Sequence, residues 1–384
     1  MREKVGEGGA RRLALLVCLC RHAAGRTAEI QGRPMRVAAA TIASRSRVAL
    51  ARATARSFRA QHAEIPFYCL LADGEHEEIR AEREPFEMIR LDALEVPEAA
   101  GFRFRYGEME LSYAATPFLI AHLLDLGFEG VLFLKQETMV LERLDGLLEM
   151  LRRHSVLLTP HFLAPPGGEG AFERARNVLR AGVFNGGVLG FAQCGEARRV
   201  LEWWKRKTQR LCLLDVEHGL HYEQRWLDFV PSFAPGCGIV RDPGVNVGHW
   251  NLPERRIEVR DGRVTACGEP CRIFRFSGYE PDRPDRITRY SRAKVAEAGG
   301  AAEVFARYQR LLEECAWRET RGLEYAWDFF DNGERISRKA RRLYREMGDA
   351  AARFGDPFRT AGGETFHAWL SREHASALEG GGRG

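Results

Sequence analysis

Two charged residues stand where an apolar run stops. Val131 to Leu134 (VLFL) is continuously apolar, breaks into Lys135-Gln136-Glu137, and resumes at Met139-Val140. A short apolar run ending in this way reads as a buried strand that delivers side chains to a sheet edge. Ligands of open α/β sheets sit outside the carboxyl ends of their strands. Lys135 and Glu137 therefore fall where such a fold does its chemistry; the plainer alternative is a solvated strand-to-loop junction. Two further stretches belong with them. Gly182 to Phe191 (GVFNGGVLGF) reads as a strand interrupted by glycines, which signals close approach of a ligand or another chain to the backbone. Gly238 to Leu252 is turn-rich with little periodicity, the kind of irregular segment that lines pockets.

The elements that position these residues alternate. Arg36 to Ala43 is a first strand; Val48, Ala51, Ala55 and Phe58 then share one helical face. Pro66 to Leu71 is a second strand, ended by Asp73-Gly74, and Met88 to Leu91 a more peripheral third. Leu111 to Leu126 reads as one helix, with Gly127 where a terminating glycine belongs. The strand 130–134 follows, then a helix around 144–152, a strand over 155–159, and a Pro/Gly loop at 165–170. Residues 172–181 read as a helix, 182–191 as the glycine-bearing strand, and 198–208 as a helix with Trp203 and Trp204. The run 211–230 begins helically, and Arg256 to Val264 reads as a hairpin about Asp261-Gly262. Arg272 to Phe276 is a last strand. Beyond Pro281 to Arg286 the chain turns helical: Val304, Tyr308, Leu311 and Cys315 share one face, and Ile336, Ala340, Leu343 and Met347 another. The pattern is α/β, a mixed or parallel sheet flanked by helices. The expected organisation is an N-terminal extension over 1–34, a main domain over 35–285 and a helical C-terminal appendage over 286–384.

Composition excludes several classes. At 45% hydrophobic and 29% charged residues the chain is globular rather than disordered. Residues 1–34 carry seven Lys/Arg against three Asp/Glu, and the remainder 51 against 50. That balance argues against a nucleic-acid surface. Nine cysteines lie scattered, the nearest being Cys18-x-Cys20 and Cys267-x3-Cys271, with no companion ligands at zinc spacing. Dispersed thiols suit a reducing compartment. No run reaches the ~18 apolar residues of a membrane span. Leu13 to Cys20 after Arg11-Arg12 faintly has the form of a signal peptide, without a clean cleavage site directly after it. Met35 opens a strand at once and is an alternative start.

Ordered motifs add a resemblance. Asn185-Gly186-Gly187-Val188-Leu189 resembles the Asn-Ser/Ala-Gly-Val-Leu segment of GT-A glycosyltransferases of the family 8 type, and Phe133 to Val140 aligns with the strand bearing their Asp-x-Asp motif. Glu223-Gln224-Arg225-Trp226 resembles their Asp-Gln segment, and Arg275-Phe276-Ser277-Gly278 their late His-Phe-x-Gly segment. Asp242-Pro243-Gly244-x-Asn246-Val247, Trp250-Asn251-Leu252, Tyr325 to Arg345 and Gly355-Asp356-Pro357-Phe358 are similar to segments of bacterial GT-A proteins. The resemblance runs in order over about 36–372. It implies a GT-A, Rossmann-like fold and transfer of a sugar from a nucleotide-diphospho-sugar to a glycan or other acceptor. It also implies retention of anomeric configuration and a part in surface polysaccharide biosynthesis. The partners implied are that donor, a glycan acceptor and, in assembly, a second copy or another glycosyltransferase, with no nucleic acid and no integral span.

The family holds a divalent cation, Mn²⁺ or Mg²⁺, on two Asp and the late His. Here those positions are Lys135, Glu137 and Arg275. A protonated lysine cannot ligate a metal, and arginine has no acceptor. An aromatic early in the first helix is replaced by Arg47, and a Lys before a Pro on the second helix by Thr116. Two readings follow. Either Lys135 and Arg275 replace the cation, since fixed positive side chains stabilise a departing diphosphate, or the site has decayed and the protein is a sugar-nucleotide-binding or scaffold protein. On the enzyme reading, Thr41, Ile42, Ala43 and Ser44 end the first strand against the nucleotide; their plain role is a helix cap by Ser44 or Ser46. Lys135, Glu137, Asn185, Gly187 and Arg275 would hold the donor, and Glu223, Gln224 and Asn185 would face the reacting sugar, Glu223 as acid/base. Asp242, Asn246, His249 and Trp250 would stand on the acceptor side. The plain alternatives are a surface ion pair to Glu137, a turn at Asn185, a solvated charge at Glu223, and a core role for Trp250.

Overall fold

The structure is a computed structural model and describes residues 35–378. The N-terminal extension, its signal-like stretch, Cys18 and Cys20, and the chain end at 380–384 lie outside the described residues. From Val37 onward the described chain forms one compact unit.

The first strand, β1 (Val37–Ala43), is buried along its whole length, and its residues are small or β-branched. It therefore occupies the middle of a sheet covered on both faces. β2 (Phe67–Leu71) and β3 (Glu87–Arg90) add to one side of it in parallel, and β4 (Gly130–Leu134) to the other. β5 (Thr138–Val140) leaves the sheet, and β6 (Val156–Pro160) returns to it. β7 (Phe184–Ala192) runs antiparallel between β4 and β6. A short pair, β8 (Leu214–Asp215) and β9 (Leu220–His221), lies apart, and β10 (Cys237–Ile239) completes an edge, giving the order β10-β6-β7-β4-β1-β2-β3. β11 (Ile257–Arg260), β12 (Arg263–Ala266) and β13 (Glu269–Pro270) form a small antiparallel sheet, and β14 (Ile273–Arg275) pairs with β5. The mixed α/β sheet flanked by helices is the class the sequence implies.

Side-chain alternation along β1 sorts the two faces. Ala38, Ala40 and Ile42 join one core with helices Thr116–Asp125 and Gly195–Thr208, where Phe118, Leu123 and Trp204 are buried. Ala49, Leu50 and Ala53 of helix Val48–Gln61 belong to a second core with Phe274, Phe276 and Tyr308. Helix Ala301–Glu314 supplies Tyr308, whose ring stacks on Phe276 at 3.7 Å. A third cluster gathers residues 330–378 around Phe104, which meets Phe330, Tyr344, Phe358 and Phe366.

Two expected elements differ. The helix over 111–126 is two helices, Glu108–Ala114 and Thr116–Asp125. Pro117 has no N–H to continue the ladder, so the chain restarts there. Gly127, at φ +85°, ends the second as expected. The run from 211 is not helical at its start: it forms β8 and β9 and a 3₁₀ turn over Gln224–Phe229. Gly219 (φ +78°) and Tyr222 (φ +51°) both adopt left-handed backbone, which no right-handed helix contains. The hairpin about Asp261-Gly262 forms with φ of +49° and +78°, the two positive values of a type I′ turn.

Candidate functional site

Strand directions bring the charged residues together. Because β7 runs against β4, its amino end lies beside the carboxyl end of β4, with Leu134 opposite Val188. Lys135 leaves β4 at that edge, and its N–H donates to the Gly187 carbonyl at 2.9 Å. Asn185-Gly186-Gly187 opens β7 at the same place. β14 lies against β5 with Arg275 opposite Thr138, which sets the guanidinium beside Glu137. The turn between them is fixed from below: the Thr54 hydroxyl lies 2.5 and 2.9 Å from the carbonyls of Gln136 and Thr138.

Four charges alternate in this small volume. Lys135 Nζ lies 2.6 Å from Glu223 Oε1 and 3.7 Å from the centroid of the Tyr113 ring. Arg275 donates from Nη2 to Glu137 Oε1 at 2.8 Å and from Nη1 to Asn185 Oδ1 at 3.3 Å. Glu223 is fully buried, and no hydrogen bond is donated to either of its carboxylate oxygens among the described residues, so Lys135 meets it by charge alone. Burial disfavours ionised Glu137, but Arg275 and Lys135 outweigh it and hold its carboxyl below the usual carboxylate range. Neither pair is the surface ion pair or solvated charge that the plainer readings offered: the side chains of Lys135, Arg275, Glu137 and Glu223 are all at least four-fifths enclosed.

The glycines of β7 make this arrangement fit. A Cβ on Gly187 would fall inside the Arg275 guanidinium, and one on Gly186 would stand 2.5 Å from Glu223 Oε1. The close approach signalled by the sequence is thus made by the chain's own charged side chains. Neighbouring groups set the frame. Gln224 accepts from Gly186 N–H through Oε1 and donates to the Ala181 carbonyl through Nε2, both at 2.9 Å, so its amide is committed to backbone. Asn185 Oδ1 also accepts from Gly187 N–H at 2.9 Å. Trp204, fully buried in the core, donates from Nε1 to the Glu223 carbonyl at 3.0 Å. Tyr222, just before Glu223, holds left-handed backbone, a conformation that costs a bulky residue ~1–3 kcal/mol and is typical of functional sites.

These residues line a cavity of about 640 Å³. Besides these charges, and Arg174, Arg180 and Arg289, its walls carry aromatic rings and imidazoles. Tyr113, Tyr290 and Trp250 face it together with His161, His221 and His249. Burial pushes all three imidazoles down to about 4, with Lys135 adding to the effect at His221 and Arg275 at His249. They are neutral at pH 7. In His161, Nδ1–H points to the Val183 carbonyl at 3.2 Å, leaving Nε2 to accept from Asn185 Nδ2 at 3.1 Å. Gly248 has no side chain because the Trp250 ring folds over it.

The candidates from sequence fall into two groups. Lys135, Glu137, Asn185, Glu223, Gln224, Arg275, His249 and Trp250 line the cavity, and Gly187 lies directly under Arg275. Thr41, Ile42, Ala43 and Ser44 are buried at the end of β1 and do not line it. Ser44 and Ser46 make no helix cap; both hydroxyls turn to Glu108. Asp242 accepts from Gly244 N–H and pairs with Arg272 at 2.8 Å, which holds a turn. Asn246 is buried with left-handed backbone. Sequence reasoning passed over Tyr113, His161, Arg289 and Tyr290. His161 was findable, since it directly follows β6 at the carboxyl edge of the sheet.

The family's metal set does not fit here. Of the three positions that the resemblance assigns to metal ligands, Lys135 and Arg275 offer no acceptor, and Oε1 of Glu137 is already taken by Arg275. Among the described residues no three His, Cys, Asp or Glu side chains converge to hold an ion. The seven described cysteines are free thiols. No helix of the described residues is long and apolar enough to cross a membrane.

No family model matches the chain. It is 32% identical over 99 residues to "Uncharacterized protein YfnF" of Bacillus subtilis, covering 26% of this chain and 33% of that protein. It is 28% identical over 102 residues to "Uncharacterized protein YfnD" of the same organism, with the same coverage. The match thus spans about a third of the length of each curated relative. Among solved structures, the galactosyltransferase LgtC in complex with donor and acceptor sugar analogs is similar at TM-score 0.42 and 17% identity, over 72% of this chain and 95% of LgtC. The glycosyltransferase GlyE of Streptococcus pneumoniae is similar at TM-score 0.42 and 15% identity, over 78% of this chain and 67% of GlyE.

Proposed function

We propose that this protein is a GT-A glycosyltransferase that transfers a sugar from a nucleotide-diphospho-sugar to a glycan or other acceptor without a metal ion. Lys135 and Arg275 serve where the related enzymes use a divalent cation. The observation that carries this reading is the pairing of both cations with buried carboxylates in a cavity lined by aromatic rings and further arginines. A bound diphosphate can compete for these cations, because lysine and arginine make charge-assisted contacts to phosphate as they do to carboxylate. As the bond from the sugar to the diphosphate breaks, the electron pair leaves with the diphosphate, and the two cations stabilise it. Glu223, released from Lys135, is then the carboxylate available to the reacting sugar or to the acceptor's proton. Arg289 adds a cation that no carboxylate pairs with among the described residues; it donates to the Tyr290 hydroxyl at 3.1 Å. Flat aromatic rings and neutral imidazoles suit the faces and hydroxyls of a sugar. The expected setting is cytoplasmic.

The test is release of nucleoside diphosphate from a panel of nucleotide-sugars in EDTA. Turnover by the wild type is expected, with Lys135→Ala and Arg275→Ala lower by roughly a hundredfold. Turnover that requires Mn²⁺ overturns the metal-free mechanism. Nucleotide-sugar binding without turnover under either condition would make the protein a sugar-nucleotide-binding protein.

A further inference from the structure

Helix Ala171–Ala181 is anomalous: none of its residues is buried. It borders the cavity through Arg174, Asn177, Val178, Arg180 and Ala181. On the opposite side Phe172 and Leu179, one above the other at a spacing of seven, are 80% and 70% exposed. Arg176 and Arg180 flank that apolar stripe at helical spacing. Such a face, apolar in the middle with arginines beside it, is that of a helix lying in a membrane interface.

Further exposed apolar side chains lie just beyond the end of the helix, at Val183 and along 211–233. Val183 donates its N–H to Asp228 at 2.9 Å, beside the exposed Phe229. The rings of Phe229 and Trp226 lie 6.5 Å apart, and Trp203 meets Trp226 at 6.1 Å and Phe233 at 5.0 Å. Trp226 donates from Nε1 to the Leu211 carbonyl at 3.2 Å, and Leu214 and Val216 line the mouth itself. Of the ten large apolar side chains exposed among the described residues, only Leu126 stands outside this belt and the cavity. Lone exposed apolar residues need no explanation, but a contiguous set does.

We propose that this belt docks on a membrane carrying anionic lipid, so that an acceptor held in that membrane enters the cavity beside it; the second clause rests on the transfer reading, the docking does not. Charge selects this occupant. Most of the nearby carboxylates are already used: Glu173 pairs with Arg176 at 2.5 Å, Asp228 with Arg225 and Asp215 with His218, and Glu217 makes no ion pair among the described residues. Arg180 has no carboxylate partner among the described residues, and Lys207 lies over the Trp226 ring at 5.6 Å. In a two-fold contact between copies the same patch meets itself, so these cations would face one another. An anionic lipid surface accepts both the aromatic side chains and the uncompensated charge.

The test is co-sedimentation of the full chain with vesicles of phosphatidylcholine alone and with added phosphatidylglycerol. Binding only to the anionic vesicles, weakened by salt, is expected. The double change Phe172→Ser with Leu179→Ser should lower it by roughly tenfold or more, as should Arg176→Glu with Lys207→Glu. Leu126→Ser should leave it unchanged, and thermal melts report that the variants fold. Absence of vesicle binding, or equal binding by the Phe172/Leu179 variant, overturns the proposal. A concentration-dependent dimer that the same variant abolishes would assign the belt to a second copy and also overturn it. Because no donor is present, the result is independent of whether transfer occurs.

Discussion

Two arginines, Arg275 and Arg341, are almost equally buried, at 2% and 4% exposed, and are held in opposite ways. Arg341 belongs to helix Arg338–Glu346 in the C-terminal region. It donates from Nη1 to the carbonyls of Phe104 and Tyr106 at 2.7 and 2.8 Å, and from Nη2 to the Trp327 carbonyl at 2.5 Å and Asp328 at 3.0 Å. Phe104 and Tyr106 close helix Ala99–Arg105, whose last carbonyls have no partner of their own. Backbone holds Arg341, and backbone cannot move aside for a ligand. Arg275 rests on two side chains, Glu137 and Asn185, at the floor of a cavity, and its Nε–H has no partner. The difference separates an arginine that joins two parts of the fold from one whose partners can be exchanged.

Arg341→Ala should break the first case most severely. Several carbonyls and Asp328 lose their donor at once, so a stability loss of about 3–5 kcal/mol is expected in chemical denaturation. Nucleotide binding measured below the transition should persist. Gly187→Ala sharpens the second case. The new Cβ displaces the Arg275 guanidinium without removing a charge, so binding should fall as it does in Arg275→Ala, with an overpacking cost of about 1–3 kcal/mol. Normal binding by Gly187→Ala would show that the position of Arg275 does not matter.

The smallest effect is on pH. His161, His221 and His249 titrate near 4 when folded, against 6.5 for the free imidazole. Because their folded values are depressed, the stability tied to their neutral forms is complete above about 6.5 and is lost as pH falls toward 4. Glu137 is held below its usual 4.5, so its contribution is present above that value and disappears only in stronger acid. Melting temperature should therefore decline in two stages on acidification. His161→Asn should flatten the upper stage and Glu137→Gln the lower; a single stage near pH 4.5 for every variant would contradict the order.

Much of this was legible in the sequence because it depends on local pattern. The apolar run before Lys135 placed β4, and the glycines of β7 announced a close approach. The positive-φ turn at Asp261-Gly262 followed from residue type. The rest depends on contacts between distant segments. Nothing near Lys135 in sequence says that its partner is Glu223 rather than Glu137; that follows from left-handed Tyr222 and the anchoring of the Glu223 carbonyl by Trp204. Ser44 and Ser46 look like helix caps, but Glu108, more than sixty residues on, takes both hydroxyls. The helical period of 171–181 was readable, whereas its failure to bury any residue was not.

The most direct measurement is calorimetry of a nucleoside diphosphate with the full chain in EDTA, comparing the wild type with Arg275→Ala and Arg341→Lys. Binding by the wild type and Arg341→Lys, weakened by roughly tenfold or more in Arg275→Ala, is expected if Arg275 replaces a metal ion at the leaving diphosphate. Equal binding by all three proteins, or binding that appears only when Mn²⁺ is added, would contradict it.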